Sequence, residues 1–471
     1  MSREKQLVKN TIIIVFGKIC TQCVSFFLLP IYTTLLSTSD FGIVDLLNTY
    51  ISLLVPIICL KLDNGVFRFL IDSRNEESRK STILSTAFFS ILINSIIFIF
   101  IMVFLNNIIK IEYFYFLIFN VIASMFSGFL LESSRGLGDN VTYSEGSFII
   151  ASGSILFNVI FVVFVRLGAQ GMLISFLLAN LIGAIFVFFK LKYYAIIKLK
   201  SFKLDFLKEL YFYSIPLIPN SISWWIINSS NRTIISYFLG ISANGIYSAA
   251  NKFSGLYITI YSMLNMTFTE SVVMHIKDND SGEFLSNIIN TIIKLFSCIC
   301  IGIIACMPFI FPIMINEKFG EAYYHIPILM TSSLVNVGVG MCTAIYVAKK
   351  LSKRIATFSI ASAFINIIIN IILIKYIGLF SASISSLVAY LVTLILMITD
   401  LRKVIRIKIQ IQYIVSILLV LLFTTISYYI NNLYLNIATL VIACIFSFVL
   451  NKSYLINMLQ LIKAKLIKKV F

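Results

Sequence analysis

The most constraining feature of this sequence is a series of apolar runs, each about 20 residues or longer, separated by short polar segments. A helix of that length crosses the roughly 30 Å hydrocarbon core of a bilayer, because it rises about 1.5 Å per residue. The runs lack the alternation of polar and apolar residues that is typical of membrane β-barrels. Charged residues make up only 12% of the chain, against roughly 25% in soluble domains. The sequence therefore predicts an all-α integral membrane protein.

The apolar runs define about 14 transmembrane helices, and the charges between them define the orientation. With a cytoplasmic N-terminus, the inner segments hold about 28 of the 37 Lys and Arg residues and the outer loops about 4. Both termini are therefore predicted to be cytoplasmic. The basic residues that give the net charge of +17 are expected to lie between the spans on the cytoplasmic side of the membrane rather than to bind nucleic acid. The spans lie near residues 11–36, 41–62, 82–105, 113–134, 143–165, 170–189, 211–237, 244–270, 287–313, 324–348, 355–375, 379–399, 411–430 and 435–451.

The predicted outer loops are short, on the order of ten residues or fewer each. A membrane polymerase or transferase that acts on sugars outside the cell is expected to carry a larger outer loop with catalytic side chains. All eight cysteines lie in apolar runs, including Cys20 and Cys23 in a CxxC spacing, so neither disulfides nor a zinc site is expected. These features predict a transporter rather than an enzyme, with no metal site and no bound cofactor.

The two halves of the chain resemble each other at a nearly constant offset, as in transporters that arose by duplication. Chance matching between apolar segments is the alternative explanation. Because each half has six spans, the two lobes are predicted to be parallel repeats related by an axis along the membrane normal. The matched positions are Gly42-Ile43 with Gly245-Ile246, Asn48 with Asn251, Ile150-Ala151-Ser152 with Ile360-Ala361-Ser362, and Gly168 with Gly378.

The repeat divides the chain into four predicted parts. Residues 1–190 form an N-terminal six-helix lobe, and residues 191–210 form a basic cytoplasmic linker. Residues 211–400 form a C-terminal six-helix lobe, and residues 401–471 add two transmembrane helices and a basic cytoplasmic tail. Pro216 and Pro219 predict a bend in the seventh span, which either helps to open a central cavity or is a kink fixed by packing.

Basic side chains within the predicted spans are the candidates for substrate binding. Each Lys or Arg near the middle of a span costs about 2.5–3.5 kcal/mol unless it is solvated or paired, so we expect these residues to face a wet cavity. Such a cavity predicts an anionic substrate. The lysines near span ends can instead extend to the headgroups. The candidates are Lys18, Arg232, Lys252 and Lys294, with Asn228 on the same helical face as Arg232.

Asp45, near the outer end of the second span, is the candidate for coupling transport to a proton or sodium gradient. Solvation at the membrane interface is the alternative role for this carboxylate. Trp224 and Trp225 suit stacking on a sugar ring, although Trp is also common in interfacial belts. The loop after the second span is expected to hold solvated ion pairs among Asp63, Arg68, Asp72 and Arg74.

Three segments resemble a known family: Phe27–Leu46 (FLLPIYTTLLSTSDFGIVDL), Asp63–Ile71 (DNGVFRFLI) and Ser134–Gly138 (SRGLG). They are similar to the polysaccharide biosynthesis and export family of repeat-unit flippases for O-antigen, capsule and teichuronic-type glycans. That family belongs to the multidrug, oligosaccharidyl-lipid and polysaccharide exporter superfamily. The resemblance implies two parallel six-helix lobes, alternating access and a location in the bacterial cytoplasmic membrane.

The resemblance further implies translocation of an undecaprenyl-pyrophosphate-linked oligosaccharide from the cytoplasmic to the outer leaflet. Its implied partners are this lipid-linked anionic glycan, membrane lipids, and the polymerase and glycosyltransferases of the same pathway. Family members are similar in having a cationic lumen and are thought to use ion gradients. A multidrug exporter of the same superfamily is the alternative function, but a cationic drug favours acidic rather than basic cavity residues. A membrane-embedded glycan polymerase is the second alternative.

Overall fold

The computed structural model describes residues 26, 28–106, 112–276, 278, 280–403, 405 and 407–470, without the side chains of residues 224, 227, 228, 352 and 453–470. These residues are almost entirely helical, and no strand occurs among them. The helices are α1 (Leu29–Leu35), α2 (Thr38–Ile58), α3 (Leu62–Asp72), α4 (Glu77–Asn106), α5 (Phe114–Leu137), α6 (Asn140–Asn158), α7 (Gly168–Lys190), α8 (Tyr193–Ile196), α9 (Leu204–Ser214), α10 (Ile218–Phe238), α11 (Ile241–His275), α12 (Ser281–Met314), α13 (Ala322–Ala348), α14 (Ser352–Ile377), α15 (Phe380–Leu401), α16 (Ile411–Ile430) and α17 (Leu433–Val470).

Within the described ranges, 11 helices are long and apolar enough to cross a membrane. They coincide with 11 of the predicted spans, and α6 continues to Phe164 through a π-helical turn. Helices α10 and α11 occupy the positions of the seventh and eighth predicted spans, but they are more polar than the others. Most of the first predicted span, near 11–36, lies outside the described residues. The prediction of an all-α membrane protein is confirmed.

The predicted bend at Pro216 and Pro219 is present and divides the seventh span. Helix α9 ends at Ser214, a 3₁₀ turn covers Ile215–Leu217, and α10 begins at Ile218. Proline has no N–H and its ring clashes with the preceding helical turn, so it fits best in the first turn of a helix and bends or breaks a helix farther along. Each proline here lies in such a first turn, that of the 3₁₀ segment or that of α10.

The prediction of a loop after the second span is wrong, because residues 62–72 form the helix α3. Arg68 and Asp72 do pair on its exposed face, at 2.6 Å. Leu70 is buried against Gly136 of α5, and Arg74 donates hydrogen bonds to the carbonyls of Gly136 and Arg135. Packing against α5 therefore stabilises a helix whose charged sequence is typical of a loop.

The chain divides into two compact units, residues Met1–Ala249 and Ala250–Phe471. In the first unit, Ser85 of α4 accepts a hydrogen bond from the backbone N–H of Lys198, at 2.9 Å. In the second unit, Ser286 of α12 accepts one from the N–H of Lys408, also at 2.9 Å. Lys198 and Lys408 are 210 residues apart, as are Gly168 and Gly378 in the internal repeat, whereas Ser85 and Ser286 are 201 apart. The predicted lobes at 1–190 and 211–400 and the segments at 191–210 and 401–471 stay predictions.

Two ion pairs occupy corresponding positions in the two repeats. Lys190 pairs with Glu145 between α7 and α6, and Asp400 pairs with Arg354 between α15 and α14 at 2.6 Å. The partners are related by offsets close to 210, but the signs of the charges are exchanged. The repeat therefore preserves complementary charge at this position rather than a particular residue type.

In the first unit, α2 crosses the start of α11 with the two backbones in close approach. A Cβ atom on Gly42 would collide with the carbonyl of Ile241, and one on Gly245 with the carbonyl of Thr38. The Asn244 side chain donates to the Gly42 carbonyl at 2.9 Å. Small residues allow such approach between membrane helices, where packing and hydrogen bonds drive association. Gly42 and Gly245, which were matched as repeat equivalents, thus lie in one crossing.

Substitution of Gly42 by Ala is expected to destabilise the protein strongly, since the added methyl meets backbone atoms that cannot move aside. The measurement is the midpoint of thermal unfolding of the purified protein in detergent. Gly128→Ala in α5 is the matched control, because a Cβ there has no neighbour within 4 Å. The close-crossing assignment is wrong if both variants unfold at the same temperature.

Candidate functional site

One face of α2 carries small and polar residues at alternating spacings of three and four. They are Gly42, Asp45, Thr49, Ser52 and Pro56. Residues so spaced lie on the same side of a helix, since one turn takes 3.6 residues. Ser37 begins α2 with a capping box, in which its side chain accepts from the Asp40 N–H. This face of α2 contacts α11 at Gly42 and α10 farther along.

Asp45 and Arg232 form an ion pair between α2 and α10, with Nε of Arg232 2.7 Å from Oδ2 of Asp45. The side chains are 15% and 16% exposed, respectively. In a membrane, each charge alone is costly, and pairing removes much of that cost. The structure thus brings together two residues for which the sequence predicted separate roles, substrate binding for Arg232 and ion coupling for Asp45.

Trp225, about two helical turns before Arg232 in α10, connects the same two helices. Its indole N–H donates to the carbonyl of Thr49 at 2.8 Å, and the hydroxyl of Ser52 donates to that carbonyl at 2.7 Å. From Asp45 to Thr49 the chain advances along α2, whereas their partners on α10 go back from Arg232 to Trp225. The two helices therefore run antiparallel. Trp225 was predicted to stack on sugar, and here its N–H is used to hold α10 against α2.

Beyond Trp225, the two helices separate and leave a pocket of about 340 Å³ within the first unit. Ser52 and Pro56 of α2 line one side, and Asn220 and Ser221 of α10 line another. Lys61 and Asp63, at the junction of α2 and α3, complete the polar lining. The pocket is therefore continuous with the helix face that carries the ion pair.

The remaining predicted site residues are distributed over the chain. Lys18 lies outside the described residues, as does the side chain of Asn228. Lys252 is a partly buried residue of α11 and belongs to the second unit. Lys294, also in the second unit, has its Nζ 3.5 Å from the centre of the Tyr413 ring, where α12 meets α16. All four stay predictions as substrate contacts.

Sequence reasoning missed Thr49, Ser52, Lys61 and Asp63. The stripe of small and polar residues along the second span was the available signal for the first two, because an apolar helix that carries such a stripe has a helix or a cavity against it. Lys61 and Asp63 had no comparable signal. Their place at the pocket depends on the turn between α2 and α3.

Comparison with known proteins gives a family and a fold. Residues 7–273 match the model of a family described as polysaccharide biosynthesis protein. No curated protein sequence matches the chain significantly.

Solved structures of transporters resemble the whole fold. An inward-facing multidrug resistance MATE family transporter of the MOP superfamily has a TM-score of 0.66 at 14% identity, covering 81% of this chain and 95% of its own. The lipid II flippase MurJ in its inward closed conformation also has a TM-score of 0.66, at 13% identity, covering 96% and 100%. A MOP superfamily transporter from Pyrococcus furiosus, noted for the reverse polarity of its binding pocket, scores 0.54 at 15% identity, covering 84% and 96%. At these identities the similarity concerns the fold.

The ion pair should behave as a coupled unit in stability measurements. Asp45→Leu or Arg232→Met alone leaves a partly buried charge without its main partner, and each is expected to cost roughly 3–5 kcal/mol. The double variant removes both charges and is expected to be more stable than either single variant. Thermal unfolding in detergent measures all four proteins. Additive losses in the double variant would contradict the pairing.

Proposed function

Because this chain belongs to the polysaccharide biosynthesis protein family, we propose that it is a flippase for undecaprenyl-pyrophosphate-linked oligosaccharide repeat units. It moves them by alternating access across the bacterial cytoplasmic membrane, in the synthesis of a surface polysaccharide such as O-antigen or capsule. It acts as a transporter and receives its substrate from the glycosyltransferases of the pathway. A polysaccharide polymerase of the same pathway uses the delivered unit.

The observation that carries this proposal is the pair of Arg232 with Asp45, beside a polar pocket in an apolar helix bundle. A guanidinium offers two parallel N–H donors, which suit the oxygens of a pyrophosphate. The lipid chain of such a substrate needs no aqueous path, since it remains in the bilayer. Only the pyrophosphate and the sugars require a polar route through the protein, and this face of α2 provides one.

Binding of a pyrophosphate to Arg232 implies an exchange of partners. The substrate anion replaces Asp45, and the carboxylate freed in this way binds a proton or a sodium ion. When the substrate leaves, Asp45 returns to Arg232 and releases that cation. In this exchange the cation neutralises Asp45, and Arg232 offsets one negative charge of the pyrophosphate, which matters because an unpaired charge is costly there. Lys18, Lys252 and Lys294 are proposed as further contacts for the anion.

The exchange also distinguishes this function from export of cationic drugs. A drug exporter needs an acid that is available to a cation, whereas the acid of this site is held by an arginine. An anionic substrate competes for the arginine directly. This arrangement therefore favours an anionic lipid-linked glycan as the substrate.

Transport by purified protein in liposomes tests the function. The probe is a fluorescent undecaprenyl-pyrophosphoryl oligosaccharide, and a membrane-impermeant quencher reports the fraction in the outer leaflet. Wild-type protein is expected to expose the whole probe pool with time, and the Asp45→Leu/Arg232→Met variant is expected to expose only the initial outer fraction. The double variant is used because it removes one charge of each sign and so leaves the net charge of the site unchanged. If wild-type liposomes behave like protein-free liposomes, the flippase proposal is wrong.

Asp45→Asn tests the cation exchange separately. Asparagine keeps the shape of the side chain and can still contact Arg232, but it cannot bind a proton at this position. Because the cation is bound while the substrate is bound, a proton or sodium gradient directed the same way as the movement of the probe is expected to accelerate wild-type transport and to leave the rate of the variant unchanged. An equal acceleration in both proteins excludes Asp45 as the coupling residue. Glu112→Gln, outside the spans, is the control variant.

A further inference from the structure

The pocket beyond Trp225 has a charge composition unlike that of an anion site. Its charged lining residues are Lys61 and Asp63, one of each sign, with Nζ and Oδ2 4.0 Å apart. That distance is longer than a charge-assisted hydrogen bond, so the two groups remain open to other partners. A phosphate in the pocket would be repelled by Asp63 and a cation by Lys61. A neutral polar group meets no repulsion from either.

Asp63 also has capacity for a hydrogen bond that the protein leaves unused. The side chain lines the pocket and is 23% exposed as a whole, although its Oδ1 atom is itself buried, so a ligand meets only the exposed part of the carboxylate. An ionised carboxylate on a pocket wall accepts hydrogen bonds from donors of a ligand that occupies the pocket. Hydroxyl groups supply such donors.

The backbone that places these residues is strained. Leu60 and Lys61 both have left-handed conformations, with φ of 50° and 56°. The left-handed region costs a residue with a Cβ on the order of 1–2 kcal/mol, and such strain is concentrated at functional sites. Asn94 of α4 donates to the carbonyl of Ile58 at 3.0 Å, which supports the end of α2 just before the turn. The strained turn sets Lys61 and Asp63 at the pocket.

The other walls offer neutral hydrogen-bonding groups. Asn220 has an amide that both donates and accepts, and Ser221 has a hydroxyl. Pro56 has no N–H to donate to the carbonyl of Ser52, four residues earlier, which leaves that acceptor without its helical partner. Both donors and acceptors thus line a volume of about 340 Å³, within the range of roughly 300–1,000 Å³ for small-molecule sites.

We infer that this pocket is a subsite for a neutral sugar ring of the lipid-linked glycan, with Asp63 accepting hydrogen bonds from ring hydroxyls. Lys61 and Asn220 donate to the ring oxygens, and Arg232 remains the partner of the pyrophosphate. The inference rests on the proposed function and divides its substrate into two parts. The anion is recognised by charge, and the sugar is recognised by a neutral set of donors and acceptors.

The test uses two probes, undecaprenyl-pyrophosphoryl-N-acetylglucosamine and undecaprenyl pyrophosphate without sugar. Binding to detergent-purified protein is measured by calorimetry, and transport is measured in liposomes. Asp63→Asn is expected to weaken binding of the sugar-bearing probe about tenfold, the usual loss for a hydrogen bond to a charged group, and to leave the sugar-free probe unchanged. Asn220→Ala, at the part of the lining contributed by α10, is expected to act in the same direction.

Asp72→Asn is the matched control, because Asp72 lies on the same helix but pairs with Arg68 on the exposed face. The subsite is disproved if Asp63→Asn weakens both probes equally or weakens neither. It is also disproved if Asp72→Asn has the same effect as Asp63→Asn. Should wild-type protein bind the sugar-bearing probe selectively but transport neither probe, the proposed function fails while the subsite stands. If Asp63→Asn does not fold but Asn220→Ala does, the subsite is judged from Asn220→Ala, by whether it loses binding of the sugar-bearing probe and keeps binding of the sugar-free probe.

Discussion

The ion pair between Asp45 and Arg232 is the interaction on which the site in the first unit depends. A carboxylate and a guanidinium in an apolar helix bundle are each destabilising, so each requires the other at hydrogen-bonding distance. That requirement fixes the register of α10 on α2. With the register fixed, Trp225 reaches the carbonyl of Thr49, and the helices separate where Ser52 and Ser221 begin the pocket. The position of the pocket therefore follows from the position of the pair.

The crossing of α2 with α11 adds a second constraint on the same helix. Gly42 lies one turn from Asp45, and backbone contact at Gly245 leaves no room for a side chain between the helices. Thr38 and Ser242 extend that contact with hydroxyl groups 2.6 Å apart. The polar face of α2 is therefore closed at Gly42 by backbone packing and in its middle by the ion pair. At Ser52 and Pro56 the same face is open to the pocket. In the proposed function, a polar ligand that enters at the open end meets the pocket first and the ion pair second.

Much of the fold could be predicted from the sequence, because the length and hydropathy of a membrane helix are local properties. The bend before α10 was predictable for the same reason, since proline acts on its own turn. Helix α3 was not, because its stability comes from Leu70 and Arg74 packing against α5, more than 60 residues away in sequence. The pairing of Asp45 with Arg232 spans 187 residues, and no local pattern records it. Candidate residues were thus recognisable by their cost in a membrane, but their partners were not.

The exchanged charges of the repeat show why partners are hard to infer from residue types. Glu145 with Lys190 and Arg354 with Asp400 occupy equivalent positions with opposite signs. A duplicated lobe can exchange both members of a pair without loss, because the Coulomb energy depends on their product. Asp45 has Ser248 at its equivalent position, so the pair with Arg232 has no such counterpart. Selection for a stable fold alone does not require a charge pair that one repeat has and the other lacks. The asymmetry therefore agrees with the proposed role of Arg232 as the partner of a charged substrate.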